Sequence, residues 1–245
     1  MSEDVLEEQL AYYRARAPQY DDWWEATGSD PRPHELRAAW LEERSRLESD
    51  LDEWCRALQG ASVLELAAGT GNLTCIAARH AGHLTAVDAS PEVLEINAEK
   101  LGPERERVEF EIADVFAWQP PKRYDAVLFG FWISHVPGDR WGGFWSSVRK
   151  SVRPGGSIWF CDNADPELGW RAGILPRPEP RFVSGDDDID ANTGITERTL
   201  PDGRSYRVVK RFFQPDVLAR ELAERGFEAT VTNTDWAFLI GHAIG

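Results

Sequence analysis

Between residues 62 and 162 the chain repeats one pattern: a short apolar run, a turn, then a stretch with helical spacing. SVLELA leads into 71–81, HLTAVD into 91–102, and VEFEIA follows; YDAVLFGF leads into 138–152, and GSIWFCD closes the series. Parallel strands need crossover connections, and helices supply them while covering both faces of the sheet. SVLEL and DAVLFGF are almost continuously apolar, as strands buried on both faces are. The pattern therefore predicts an α/β fold around a parallel sheet.

The flanks differ. Residues 3–16 and 34–58 have helical spacing, the second with Leu36, Ala39, Trp40, Leu47, Leu51, Trp54 and Leu58 on one stripe. A polar stretch with Gly and Pro, 17–33, separates them. After Asn163 the alternation stops. Residues 164–192 hold four prolines and the run Asp186–Asp188, read as a solvated acidic loop rather than a metal site. Residues 194–209 read as a hairpin turning at Pro201–Asp202–Gly203. A helix at 215–225 and the strands EATVTN and WAFLIGHAI end the chain, so 164–213 reads as an insertion rather than a second domain.

The turn in VLELAAGTGNLT (Val63–Thr74) is the first place where chemistry is legible. Ala67, Ala68, Gly69 and Gly71 allow a tight turn and close approach of a ligand to the backbone, and the next helix offers unpaired N–H groups. Asp88 ends the following strand, 17 residues beyond Gly71, where one carboxylate can accept from both hydroxyls of a ribose. The third glycine of a dinucleotide fingerprint is missing after Gly69-Thr-Gly71. Glu65, inside the first strand, would repel a pyrophosphate but suits an amino-acid ammonium group. Ala113–Asp114–Val115, at the end of the third strand, could accept from an adenine amino group and donate to its ring.

On these residues the sequence resembles the class I S-adenosylmethionine-dependent methyltransferases of the small-molecule type. ELAAGTGNLT, AVDASPEVL, EIADVFAW, YDAVLFGFWISHVP and VRPGGSIWF carry the likeness, over roughly residues 60–163 with a tail at 215–245. Ala67 departs from it, since the family usually has glycine there. The resemblance implies a seven-stranded Rossmann-like sheet, mostly parallel with the last strand antiparallel, under a helical N-terminal lid and with a β-hairpin insertion after strand 5. It implies one domain over 1–245, comprising a lid (1–59), a cofactor-binding core (60–163), a cap (164–213) and a C-terminal helix with two strands (214–245). The implied cofactor is S-adenosylmethionine (SAM), leaving S-adenosylhomocysteine (SAH). Ala67, Gly69 and Gly71 would line its methionine and ribose. Asp88 would hold the ribose diol, Ala89 the adenine, Asp114 and Val115 the adenine edge, and the Phe129 backbone the methionyl portion. YYRARAPQYDDW resembles the lid of small-molecule members, with Tyr13 and Tyr20 closing over the cofactor; the alternative for both is packing of an N-terminal helix.

Ligands of open α/β sheets sit beyond the carboxyl ends of the strands. There the fourth strand delivers FGFWISHVPGDRW. A hydroxyl acceptor of a methyl group needs a base, and neutral imidazole titrates in the useful range, so His135 is the candidate. Its alternative role is a capping or core-edge histidine. Asp162, after the fifth strand, could orient His135 or bind substrate. Asp162–Asn163 also suit the hard-oxygen preference of magnesium, but the fourth strand brings no acid beside them, so no metal is expected. Phe131, Trp132, Trp141 and Trp145 would wall the acceptor pocket. Small-molecule O-methylation is the leading reading. Its rivals are N- or C-methylation by positioning alone, a SAM-binding cyclase or sensor that does not methylate, and, more distantly, a nicotinamide oxidoreductase.

Charge narrows the partners. With 27 Lys and Arg against 42 Asp and Glu, the net charge of −15 opposes docking on nucleic acid or anionic lipid. No stretch reads as a signal peptide or membrane span, and Cys55, Cys75 and Cys161 show no paired spacing, so a cytoplasmic protein is expected. The hairpin at 194–209 could pair across a homodimer. Eleven tryptophans against five tyrosines are the compositional oddity. Five of them, Trp23, Trp24, Trp132, Trp141 and Trp145, fall in segments expected to border the acceptor.

Overall fold

A computed structural model describes residues 3–28, 30, 32–171, 173, 189–190 and 193–245, apart from the side chain of Trp170. The run Asp186–Asp188 lies outside the described residues. Three helices come first: α1 (Glu3–Arg16), α2 (Tyr20–Glu25) and α3 (His34–Ala57). Then β1 (Ser62–Leu66), α4 (Thr74–Ala78), β2 (His83–Asp88), α5 (Pro91–Lys100), β3 (Val108–Ile112), β4 (Tyr124–Gly130), α6 (Gly138–Ser151) and β5 (Val152–Asn163) alternate. After the short α7 (Glu167–Arg171) come the hairpin β6 (Ile195–Thr199) and β7 (Ser205–Val209), then α8 (Pro215–Glu224), β8 (Glu228–Asn233) and β9 (Phe238–Ile244).

Seven strands form one sheet in the order β3-β2-β1-β4-β5-β9-β8, and β6-β7 stand apart. The pairs among β1 to β5 are parallel; β9 runs antiparallel to both β5 and β8. This is the Rossmann-like α/β sheet with an antiparallel last strand. The strand order reverses between β1 and β4, which opens a crevice at their carboxyl ends.

Alternate residues of the strands feed two cores. Val63, Ala126, Leu128 and Trp159 face α3 and α4, while Leu64, Val127, Phe129 and Phe160 face α6 and α8. Trp54 and Trp159 tie α3 to β5 through their indole N–H groups, donating to Ser157 Oγ (2.6 Å) and Asp50 Oδ1 (2.7 Å). Among the described residues no helix is long and apolar enough to cross a membrane.

Local chemistry moved several expected boundaries. The helix expected over 71–81 is only α4, because Gly71, Asn72 and Leu73 are spent in the turn; Cys75 N–H donates back to Gly71 O at 3.0 Å. The segment 17–33 contains α2, hidden by its polar composition. Asp21 on α2 accepts from Thr70 Oγ1 (2.8 Å) and Asn72 Nδ2 (3.2 Å) and pairs with Lys100 Nζ (2.6 Å), so the helix is latched to the glycine turn.

Glu43 on α3 anchors the β8–β9 turn. It is 2% exposed, and its Oε2 accepts the backbone N–H groups of Trp236 and Ala237, both at 2.9 Å. Removing that carboxylate strands two buried donors. Glu43→Ala is expected to lower stability by about 3 kcal/mol in urea unfolding, with Glu43→Gln recovering part of it. A loss under ~0.5 kcal/mol would refute the anchoring role.

Candidate active site

Two cavities open at the carboxyl ends of the strands. The first, about 260 Å³, is lined by Ala67, Gly69, Thr70, Asp88, Ala89, Ser90, Asp114, Val115, Gly130 and Trp132, with Leu6, Gln9 and Leu10 of α1 as its roof. The second, about 440 Å³, lies under the N-terminal helices and the β6–β7 hairpin, with Trp23, Trp40, Asn163, Arg198, Lys210 and Trp236 in its walls. Tyr13, Tyr20, Phe131 and His135 line both, so they form the partition.

The first cavity is built by the turn after β1. Ala67 and Phe131 end the adjacent strands β1 and β4 with φ of +53° and +54°, a region that side chains with a Cβ avoid at a cost of about 1–2 kcal/mol. That dihedral is the reason a glycine suits position 67, and alanine is the smallest residue that can stand in for it. Asp88 takes the N–H of Gly69 on one oxygen (3.0 Å) and that of Ser90 on the other (2.9 Å). Each oxygen keeps a lone pair for a ligand. Burial raises the Asp88 pKa above the ordinary range. Asp114, exposed at the mouth, accepts from Phe116 N–H at 2.9 Å.

Three residues expected on this wall are elsewhere. Gly71 is a packing position: with φ of +92°, a Cβ there would lie 2.5 Å from Asn97 Oδ1. The Phe129 side chain is fully buried against Phe144, Trp145 and Phe160, and Gly130 lines the cavity instead. Glu65 lies one layer behind the wall, 1% exposed, and its Oε2 has no hydrogen-bond partner. Burial pushes its pKa up to about 8, opposed by a hydrogen bond from Thr74.

At the partition, His135 ends the 3-10 turn Ile133–His135 and is 7% exposed. Its Nδ1 lies 2.6 Å from Val209 O, the end of the hairpin, and its Nε2 lies 2.7 Å from the Tyr13 hydroxyl. A carbonyl can only accept, so Nδ1 carries the proton and the lone pair is on Nε2. Burial holds the imidazole well below the ordinary histidine pKa, and the charge of Lys210 lowers it further. Gln9 completes the frame, donating to His135 O (3.3 Å) and accepting from Val209 N–H (2.9 Å).

Asp162, expected to orient His135 or to bind substrate, is engaged elsewhere. Its oxygens accept the N–H groups of Ser134 (2.9 Å) and Asn163 (2.8 Å), and Lys210 Nζ is 3.6 Å away. Lys210 also donates to Asn163 Oδ1 at 3.0 Å, so an ammonium bridges the two groups that could have suggested a metal. Among the described residues no group of three or more His, Cys, Asp or Glu could hold a metal ion.

The expected aromatic wall is also rearranged. Trp141 stacks on Phe213, and Trp145, 1% exposed, packs against Phe129, Phe160 and Phe227; both serve the core under α6. Trp132 lines the first cavity beside Phe116, not the second. Trp24 is buried against Phe131. Trp23 and Phe131 do face the second cavity, joined by Trp40 and Trp236 from the ends of the chain.

Residues 63–156 match the family model described as a methyltransferase domain. A solved structure of DhpI with SAH is 33% identical over 99% of this chain and 98% of that one, with a TM-score of 0.73. DhpI with SAM and HEP is 34% identical over 99% of both, again with a TM-score of 0.73. The demethylmenaquinone methyltransferase of Tropheryma whipplei strain Twist is 29% identical over 72% of this chain and 69% of its own length. The ubiquinone biosynthesis O-methyltransferase of Aromatoleum aromaticum is 27% identical over 56% of each.

Glu65 makes the ligand-free protein sensitive to pH. Its folded pKa of about 8 lies above the unfolded 4.5, so between those values the folded state holds a proton that the unfolded state releases. Stability therefore falls as pH rises from 4.5 to about 8. Glu65→Gln should become more stable than the wild type at pH 8, relative to pH 5, by about 3 kcal/mol in urea unfolding. Parallel pH curves for the two proteins would contradict a buried, unpaired carboxyl.

Proposed function

The chain belongs to the class I SAM-dependent methyltransferases, and on that premise we propose that it methylates a hydroxyl oxygen of a small molecule, with His135 as general base. SAM is the cofactor, and when bound it supplies an electrophilic methyl on sulfur. The orphaned Oε2 of Glu65, the turn at Gly69 and the paired N–H contacts of Asp88 suit its amino-acid and ribose groups. In this reading Asp88 takes the ribose diol, Asp114 and Val115 the adenine edge, and Ala67, Gly69 and Gly130 the backbone side. Glu65 acts from behind the turn on the ammonium end, and Tyr13 and Tyr20 close the roof.

The observation that carries the proposal is the shared partition. His135 faces both cavities, neutral, with its Nε2 lone pair engaged, among the described residues, by the Tyr13 hydroxyl alone. An acceptor hydroxyl that replaces Tyr13 as donor hands its proton to Nε2 as its oxygen takes the methyl. Val209 O holds Nδ1–H and steadies the imidazolium that results. Alignment of oxygen and methyl across the partition supplies the rest of the rate. The net charge of −15 supports a small acceptor over nucleic acid, and the apolar walls Trp23, Trp40 and Trp236 support one with a flat or apolar body.

His135→Gln is expected to cut kcat at least ~100-fold, the usual scale for a positioned base, while SAH affinity in calorimetry stays within about threefold. Tyr13→Phe, which removes only a donor to Nε2, should keep kcat within ~10-fold. The base works deprotonated and its pKa is lowered, so the acid limb of kcat/KM should lie below pH 6.5. Full turnover in His135→Gln would exclude the base and favour an amine acceptor methylated by positioning alone.

A further inference from the structure

Among the described residues, the lining of the second cavity carries more cations than carboxylates, inside an acidic protein. Arg16, Arg198 and Lys210 all line it, although the chain carries −15. Lys210 follows β7 and is 2% exposed. Its ammonium donates to Ser134 Oγ (3.2 Å) and Asn163 Oδ1 (3.0 Å), and its acidic neighbour, Asp162, stands off at 3.6 Å. Asp162 is already committed to two backbone N–H groups. Arg16 lies over the rings of Tyr12 and Tyr20, and among the described residues it forms no ion pair. Arg198 reaches the same cavity from β6. Among the described residues the one carboxylate in the wall, Asp30, is turned to Arg32 (3.0 Å) and Arg37 (4.0 Å).

Desolvating an ammonium costs several kcal/mol unless partners restore what water gave. Here two neutral oxygens and a distant, shared carboxylate are the partners. Burial pulls the Lys210 pKa down to about 8, and Lys210, Arg198 and Arg16 all depress the pKa of His135, so their charges converge on the reacting position. A guanidinium presents a fork of donors that matches an oxyanion. Trp23, Trp40 and Trp236 make the rest of the wall apolar.

We propose that the acceptor carries an oxyanion, of carboxylate or phosphate type, which Arg16, Arg198 and Lys210 bind beside His135. Its apolar body lies on the tryptophan wall. This inference rests on the second cavity being the acceptor site, and it narrows the substrate to small organic acids. The cationic lining also draws anions into a protein whose outer charge repels them.

The test is ligand binding to the full chain, by thermal unfolding and calorimetry at fixed ionic strength, with and without SAH. Benzoate is the probe, benzyl alcohol its neutral counterpart, and inorganic phosphate the oxyanion without a ring. Benzoate is expected to bind at least tenfold tighter than benzyl alcohol. Arg16→Gln and Arg198→Gln, on separate elements, should each weaken benzoate and phosphate at least tenfold while SAH affinity stays within threefold. Arg198→Lys should recover part of the loss. Equal binding of benzoate and benzyl alcohol, no benzoate binding, or unchanged affinity in both Gln variants overturns the proposal. Failure of SAH to bind the wild type would overturn the methyltransferase reading instead, and the titrations without SAH would still decide the anion site.

Discussion

The hydrogen bond from His135 Nδ1 to the carbonyl of Val209 joins the two halves of the candidate active site. His135 belongs to the sheet, carried just past β4; Val209 belongs to the hairpin inserted after β5. One contact fixes the tautomer, orients the ring and docks the hairpin. Gln9 repeats the connection from α1 by bonding to the backbone of both residues, and Tyr13, one turn further along α1, takes the remaining ring nitrogen. A buried imidazole with both nitrogens committed has no low-energy alternative position. Lid, hairpin and sheet are therefore set relative to one another at the point where chemistry is proposed.

The consequences spread from that junction. α1 can roof the first cavity because β7 holds its other side, through Gln9 and through the Arg207–Glu8 ion pair. α2 is latched to the glycine turn by Asp21, and Glu43 on α3 carries the turn that presents Trp236. Each N-terminal helix thus serves a wall of one cavity. Of the three described non-glycine residues in the left-handed region, Ala26 closes α2, while Ala67 and Phe131 sit at the ends of β1 and β4, where the sheet splits. Ala67 and Phe131 thus hold backbone strain in the lining of the first cavity.

Much of this was legible in the sequence, and for local reasons. Strand–turn–helix alternation, the turn at Gly69 and the acid Asp88 one strand later are encoded within some 25 residues, so the sheet, and the residues that line the cavity proposed for the cofactor, followed from pattern and from family resemblance. His135 was legible because it directly follows an apolar strand. The rest depends on long-range pairing. Val209 and Lys210 reach the site only when the hairpin folds back, and Gln9 only when α1 packs on it, and no local period marks them. Lys210 left one hint, a lone lysine directly after the buried Val208–Val209. Trp141 and Trp145 misled because helix α6 begins at the ligand end but turns its aromatic stripe into the core beneath the sheet. Trp40 and Trp236 were overlooked because their segments read only as packing. The tryptophan excess therefore divides between the two cores and the wall of the second cavity, by different members than expected.

A base at His135 requires a buried imidazole that stays neutral and keeps its lone pair on Nε2. Nitrogen-15 NMR of labelled protein, with His135 assigned through His135→Gln, observes both properties. The predicted result is the tautomer protonated at Nδ1, unchanged as pH falls past 6.5. A His135 that titrates at or above pH 6.5, or that carries its proton on Nε2, would contradict the base assignment at its origin.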